Sequence, residues 1–211
     1  MATLHFEKIP PKNGLTKDSP LLIMLHGRGA DEKDLLMLGP ILNDNFFTIS
    51  IRASKKYRYG GFAWFELSDD LMNNENELSE SLNSLNETID SIINNFIFDH
   101  KKIFLLGFSQ GAMMAYAVGL ARPEIFTGII AQSGFVINQK IFNYKWNESS
   151  KINFLHTHGE LDMVVPFSKA TETKNLFEKN KTPLEFKSYR MGHEISEECL
   201  RDVQIWINNL I

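Results

Sequence analysis

The chain has 211 residues, 43% of them hydrophobic, a formal net charge of −4 and a single cysteine, Cys199. That length can bury a core without disulfide or metal staples, and one cysteine forms no intrachain disulfide. No basic block stands out to grip a phosphate backbone, no apolar run reaches the length of a membrane span, and residues 1–11 lack the apolar stretch of a signal peptide, so nucleic-acid binding and stable membrane insertion are set aside and a cytoplasmic setting is expected.

In chain order, residues 3–9 alternate and predict an edge strand. Residues 21–25, 48–53, 103–106, 128–131, 152–156 and 184–189 are mostly continuous apolar runs, the pattern of strands buried on both faces. Between them, residues 32–42, 78–98, 110–121, 167–180 and 194–210 read as helices. Strand–helix alternation of this kind predicts an α/β class fold, with a mostly parallel central sheet and helices on both faces. Neither an internal repeat nor a long linker interrupts it, so one domain over residues 1–211 is expected. Residues 54–76, rich in aromatics, and residues 135–150 fit the alternation poorly and read as candidate functional loops.

Gly107-Phe108-Ser109-Gln110-Gly111 matches G-x-S-x-G between an apolar strand and a helix, the context in which this motif presents a nucleophilic serine. A serine on so sharp a turn is strained, and small neighbours let the backbone pass closely. Leu25-His26-Gly27-Arg28-Gly29 follows the first buried strand, where such folds place an oxyanion loop. The backbone N–H groups of Arg28 and Gln110 are therefore expected to hold an oxyanion. The run from Gly27 also begins like a dinucleotide fingerprint, but Glu32 occupies its third glycine position and would repel a pyrophosphate.

A serine hydroxyl needs a base, and the base needs an orienting carboxylate. The histidines after Ser109 are His156, His158 and His193. Only His193 follows a later strand and still leaves room for an acid ahead of it, in the order Ser, Asp/Glu, His. Asp162 and Glu160, both just past the strand that ends near His156, are the candidate acids. His156-x-His158 could also pair two imidazoles on one strand face, but no further zinc-type spacing supports a metal site. His26 reads as structural and Cys199 as packed within the last helix.

With these residues in place, the chain resembles the phospholipase/carboxylesterase family of α/β-hydrolases, which includes the acyl-protein thioesterases. The resemblance is carried by residues 25–31, Ala63-Trp64-Phe65, residues 107–112, residues 158–166 and Gly192-His193-Glu194-Ile195. It implies an α/β-hydrolase fold without a large cap domain. Ser109 would be the nucleophile, His193 the base, Asp162 its orienting partner, and Arg28 and Gln110 the oxyanion residues. Trp64 and Val165 would be the substrate-binding residues, Trp64 in the loop bordering the site and Val165 near the acid. The family resemblance implies a small-molecule ester or thioester as substrate, with no cofactor and no metal; oligomeric state is open, a homodimer among the options. The match is nearer to bacterial esterases with His-Gly-Arg-Gly than to eukaryotic thioesterases, which typically carry leucine at the position of Arg28. Two rivals stand beside this reading: a ligand-binding protein on a hydrolase fold, and a hydrolase of an unusual substrate such as a lactone or quinone adduct. Turnover measurements separate them.

Overall fold

The structure is a computed structural model that describes residues 3–66, 75–137 and 142–211. The elements along the chain are β1 (Phe6–Ile9), β2 (Leu21–Leu25), α1 (Leu38–Leu42), β3 (Phe47–Ile51), β4 (Lys55–Lys56), β5 (Phe62–Ala63), α2 (Glu75–Asn95) and β6 (Ile103–Phe108). They continue with α3 (Gln110–Ala121), β7 (Gly128–Gln132), α4 (Trp146–Ser149), β8 (Asn153–Gly159), α5 (Phe167–Lys179), β9 (Glu185–Tyr189) and α6 (Glu197–Asn208). Seven strands form one sheet in the order β1-β3-β2-β6-β7-β8-β9. All neighbours pair in parallel except β1, which runs antiparallel to β3 at the edge.

The two-residue period of a strand explains how both faces are covered. Leu21, Ile23 and Leu25 of β2 join one core with Leu85, Ile89 and Ile92 of α2, the buried residues of α3, and Phe177 of α5. Leu22 and Met24 point the other way, into a second core with Leu42 of α1 and Val203 and Ile207 of α6. Helix α3 is apolar on all sides and buried from Gln110 to Leu120, as a helix enclosed by neighbours must be.

Three expected helices differ from the observed ones by three residues or more at an end. The stretch expected as one helix over 32–42 is a series of turns, with bonds from Asp34 to Asp31, Leu38 to Leu35 and Gly39 to Leu36, and only Leu38–Leu42 is helical. Pro40 has no N–H to give to Leu36 and its ring crowds that carbonyl, so a helix cannot run through. The final helix starts at Glu197 rather than at residue 194, because the Ser196 hydroxyl accepts from Cys199 N at 3.2 Å and caps it. That leaves His193 in a loop. Helix α2 ends at Asn95, three residues short of its expected end, where the Asn95 amide turns back onto the Ser91 carbonyl at 2.7 Å.

The two irregular stretches are partly described. Within 54–76, β4 and β5 form a small antiparallel hairpin, and residues 67–74 lie outside the described residues. Within 135–150 there is the short helix α4, and residues 138–141 lie outside the described residues.

Candidate active site

Parallel pairing lines up the carboxyl ends of the strands. Leu25 pairs with Gly107, Gly107 with Ala131, Gln132 with Thr157, and Gly159 with Tyr189. The segments following β2, β6, β7, β8 and β9 thus emerge along one edge, where open α/β sheets bind ligands.

Ser109 sits between β6 and α3 with φ 53° and ψ −117°. Such a backbone costs about 1–3 kcal/mol and persists only where its surroundings hold it. The holding contacts are visible. Ser109 N donates to Gln132 O at 2.8 Å, extending the β6–β7 ladder one step past the strand. A side chain at Gly107 would strike the Gly111 carbonyl, and one at Gly111 would strike the Leu25 carbonyl. Both positions therefore demand glycine for close backbone approach.

Ser109 Oγ lies 2.9 Å from His193 Nε2, and His193 Nδ1 lies 2.7 Å from Asp162 Oδ2. A carboxylate only accepts, so Nδ1 carries the proton and Nε2 is left to accept from the serine hydroxyl. Asp162 is buried, and its other oxygen, Oδ1, accepts from Val164 N and Val165 N, both at 2.8 Å. Glu160, the other candidate acid, instead takes a bond from the Ser188 hydroxyl at 2.8 Å.

Two further histidines brace this edge. His158 Nε2 is 2.9 Å from Val165 O and 3.5 Å from Asp162 Oδ2, and burial lowers its pKa. The neutral ring donates to the Val165 carbonyl and closes the turn that holds Asp162. His156 stacks on His158 at 5.4 Å, meets the Tyr116 hydroxyl at 2.7 Å through Nδ1, and has its pKa lowered by burial to about 3.

On the opposite side, the loop after β2 carries Arg28. The backbone N–H groups of Arg28 and Gln110 have no acceptor among the described residues. His26 is buried, with Nδ1 against Gly27 O at 2.7 Å and Nε2 accepting from Ala53 N at 3.0 Å. The Gln110 side chain accepts from Trp64 N at 2.8 Å and donates to Phe65 O at 2.7 Å. It thereby ties the start of α3 to the segment after β5.

Trp64, expected to bind substrate, is fully buried, and its indole Nε1 donates to His26 O at 2.9 Å. A buried indole needs an acceptor, and here that acceptor is the backbone behind the Arg28 loop. Trp64 props this loop and is not among the described residues that line the cavity beside Ser109. Val165 does face a cavity of about 150 Å³ together with Arg28, Ser109, Gln110 and His193. Met113, Phe135 and Val164 complete its wall. Sequence reasoning missed these three, since a lone apolar side chain carries no chemical signature; the irregular stretch beginning at residue 135 was the only pointer to Phe135.

The Arg28 loop is anchored by an ion pair between the buried Glu32 carboxylate and the partly exposed Arg52. Arg52 Nε and Nη2 grip Glu32 Oε2 and Oε1 at 2.5 and 2.8 Å, which pulls the Glu32 pKa from its ordinary 4.5 to about 2. A depressed carboxyl stabilises the fold above its unfolded pKa and loses that contribution as pH falls toward the folded one. Replacing Arg52 with leucine would strand a buried carboxylate at a cost of about 3–5 kcal/mol at pH 7. The deficit should shrink as pH drops from about 4.5 toward 2. Denaturant unfolding of both proteins at pH 7 and at acid pH checks this, and a deficit that does not change with pH contradicts it.

Comparison with known proteins adds independent findings. The profile of the phospholipase/carboxylesterase family matches residues 11–211. Acyl-protein thioesterase 1 of Kluyveromyces lactis is 32% identical over 149 residues, covering 67% of this chain and 65% of that protein, so the chain aligns with somewhat less than two thirds of that relative's length. Acyl-protein thioesterase 1 of Mycosarcoma maydis is 27% identical over 238 residues, covering 100% of this chain and 99% of that protein. Among solved structures, a Bacillus cereus carboxylesterase superposes with a TM-score of 0.86 at 21% identity, covering 100% of this chain and 96% of that one, a likeness of fold.

Proposed function

The chain belongs to the phospholipase/carboxylesterase family, and from that premise we propose that it hydrolyses carboxylic esters, thioesters included, through an acyl-enzyme on Ser109. The observation that carries the proposal is the unbroken relay from Ser109 Oγ through His193 to Asp162, with links of 2.9 and 2.7 Å, opening on a partly apolar cavity. The names of the thioesterase relatives and the carboxylesterase neighbour agree with it.

In the first step His193 Nε2 takes the serine proton as Ser109 Oγ attacks the carbonyl carbon. The carbonyl oxygen becomes an oxyanion, which the N–H groups of Arg28 and Gln110, without acceptors among the described residues, receive. Donors already fixed in position stabilise developing charge without reorganising; losing one such donor typically costs about 2.7–4 kcal/mol of barrier. Asp162, pinned by two backbone N–H groups, keeps the imidazole in the accepting tautomer and offsets the charge of the imidazolium. The imidazolium returns its proton to the departing alcohol or thiol. Water, deprotonated by the same nitrogen, then releases the acid and restores the serine.

Met113, Phe135, Val164 and Val165 offer the acyl group apolar contact, while Arg28 marks the polar side of the cavity. Hydrolysis of 4-nitrophenyl butyrate and of a butyryl thioester tests the proposal. Turnover of either supports it, and a folded protein inert toward both, and toward longer acyl chains, refutes it.

A further inference from the structure

Among the described residues that line the cavity, Arg28 and His193 are the only ones whose side chains can carry positive charge, and none is a carboxylate. Among the described residues Arg28 makes no ion pair. Its guanidinium lies over the Tyr57 ring, 5.3 Å from the centroid. Tyr57 meets Tyr59 edge-on at 5.5 Å, and the guanidinium of Arg58 lies over Tyr59 at 4.8 Å. These contacts join two cations into one ladder that runs from the cavity to the exposed tip of the β4–β5 hairpin.

The ladder is mounted rigidly on the Arg28 loop. Gly29 N donates to Phe62 O and Phe62 N to Ala30 O, both at 2.8 Å, and Tyr57 N donates to Gly61 O at 3.0 Å. Stacking on an aromatic face orients a guanidinium yet leaves its in-plane N–H fork open, and that fork matches a carboxylate or phosphate. Because Arg28 lines the same cavity as Ser109, an anion on its side chain would lie close to the scissile carbonyl.

We propose that Arg28, supported by the Tyr57–Tyr59–Arg58 stack, is an anion subsite. The substrate is then an ester or thioester that carries a carboxylate or phosphate near its carbonyl. The inference deepens the hydrolase reading and rests on it for the reaction, though not for binding.

Binding is therefore measured without turnover. In the Ser109→Ala protein, calorimetry should show monomethyl glutarate binding roughly tenfold or more tightly than dimethyl glutarate, the usual yield of a charge-assisted contact. Arg28→Gln in the same background should abolish the preference and Arg28→Lys should keep part of it. Added salt at about 0.5 M should weaken only the anion. Equal binding of the two esters, or a preference that survives Arg28→Gln, overturns the subsite. On the active protein, 4-nitrophenyl hemiglutarate and 4-acetoxybenzoate, each against its neutral methyl ester, tell whether the anion belongs to the acyl or the leaving-group side. Retained anion preference without any turnover would uphold the subsite and discard the hydrolase reading alone.

Discussion

Replacing Ser109 with alanine should lower kcat/KM for 4-nitrophenyl butyrate by about 10⁴-fold or more, the scale seen when a serine nucleophile is lost from such a relay. Fold and stability should change little. The strained backbone at residue 109 is held by Gln132 O and by the close approach of Gly107 and Gly111, none of which involves the hydroxyl. Removing Oγ also relieves no packing, since it faces the cavity. Steady-state kinetics with a matched unfolding curve checks both halves. Activity within tenfold of wild type would remove Ser109 from the chemistry.

Asp162→Asn should be nearly as damaging, for a reason that can be read from the hydrogen bonds. Oδ1 of Asp162 accepts from the N–H groups of Val164 and Val165, so an asparagine would have to keep its oxygen there. Its NH₂ group would then face His193 Nδ1, forcing that nitrogen to accept. The ring proton would move to Nε2, where it would point at Ser109 Oγ in place of the lone pair that should take the serine proton. The geometry survives with the wrong tautomer, and kcat should fall by about 10⁴-fold. Asp162→Ala should lose a similar rate and also leave two buried N–H groups without an acceptor, at about 1–3 kcal/mol of stability for each. Comparing the two variants by kinetics and by denaturant titration separates the roles. An asparagine variant with near wild-type kcat would mean that Asp162 does not orient the base.

Much of this architecture is legible because burial on both faces writes a plain pattern. Strands β2, β6 and β7 are apolar runs lying in the centre of the sheet, and α3 has the bounds expected of it, starting directly after the strained serine. Strand β8 runs to Gly159, three residues beyond its expected end at His156. Thr157 and His158 look like a strand end because they are polar, yet both are buried, and His158 Nε2 reaches the Val165 carbonyl seven residues ahead. Pro40 lies inside the stretch expected as one helix over 32–42, and the helix there is confined to Leu38–Leu42.

The candidate triad residues were legible through order and place. Each follows the carboxyl end of a parallel strand, and parallel register alone brings those ends together. Trp64 shows where this kind of reading fails. Its partners, Gln110 and His26, lie 46 and 38 residues away, and the choice between lining a cavity and propping a loop is made by those distant contacts. The walls formed by Met113, Phe135 and Val164 were hidden for a related reason: apolar side chains look alike in a sequence whether they face a core or a ligand.

The central claim is that Ser109 is a nucleophile activated by His193. Treatment with a fluorophosphonate, followed by digestion and mass spectrometry, tests it most directly, because the reagent phosphonylates an activated serine with loss of fluoride. A single adduct on the Ser109 peptide, strongly suppressed by His193→Ala, is the result predicted here. Catalytically active protein that takes up no label, or takes it up at another residue, would contradict it.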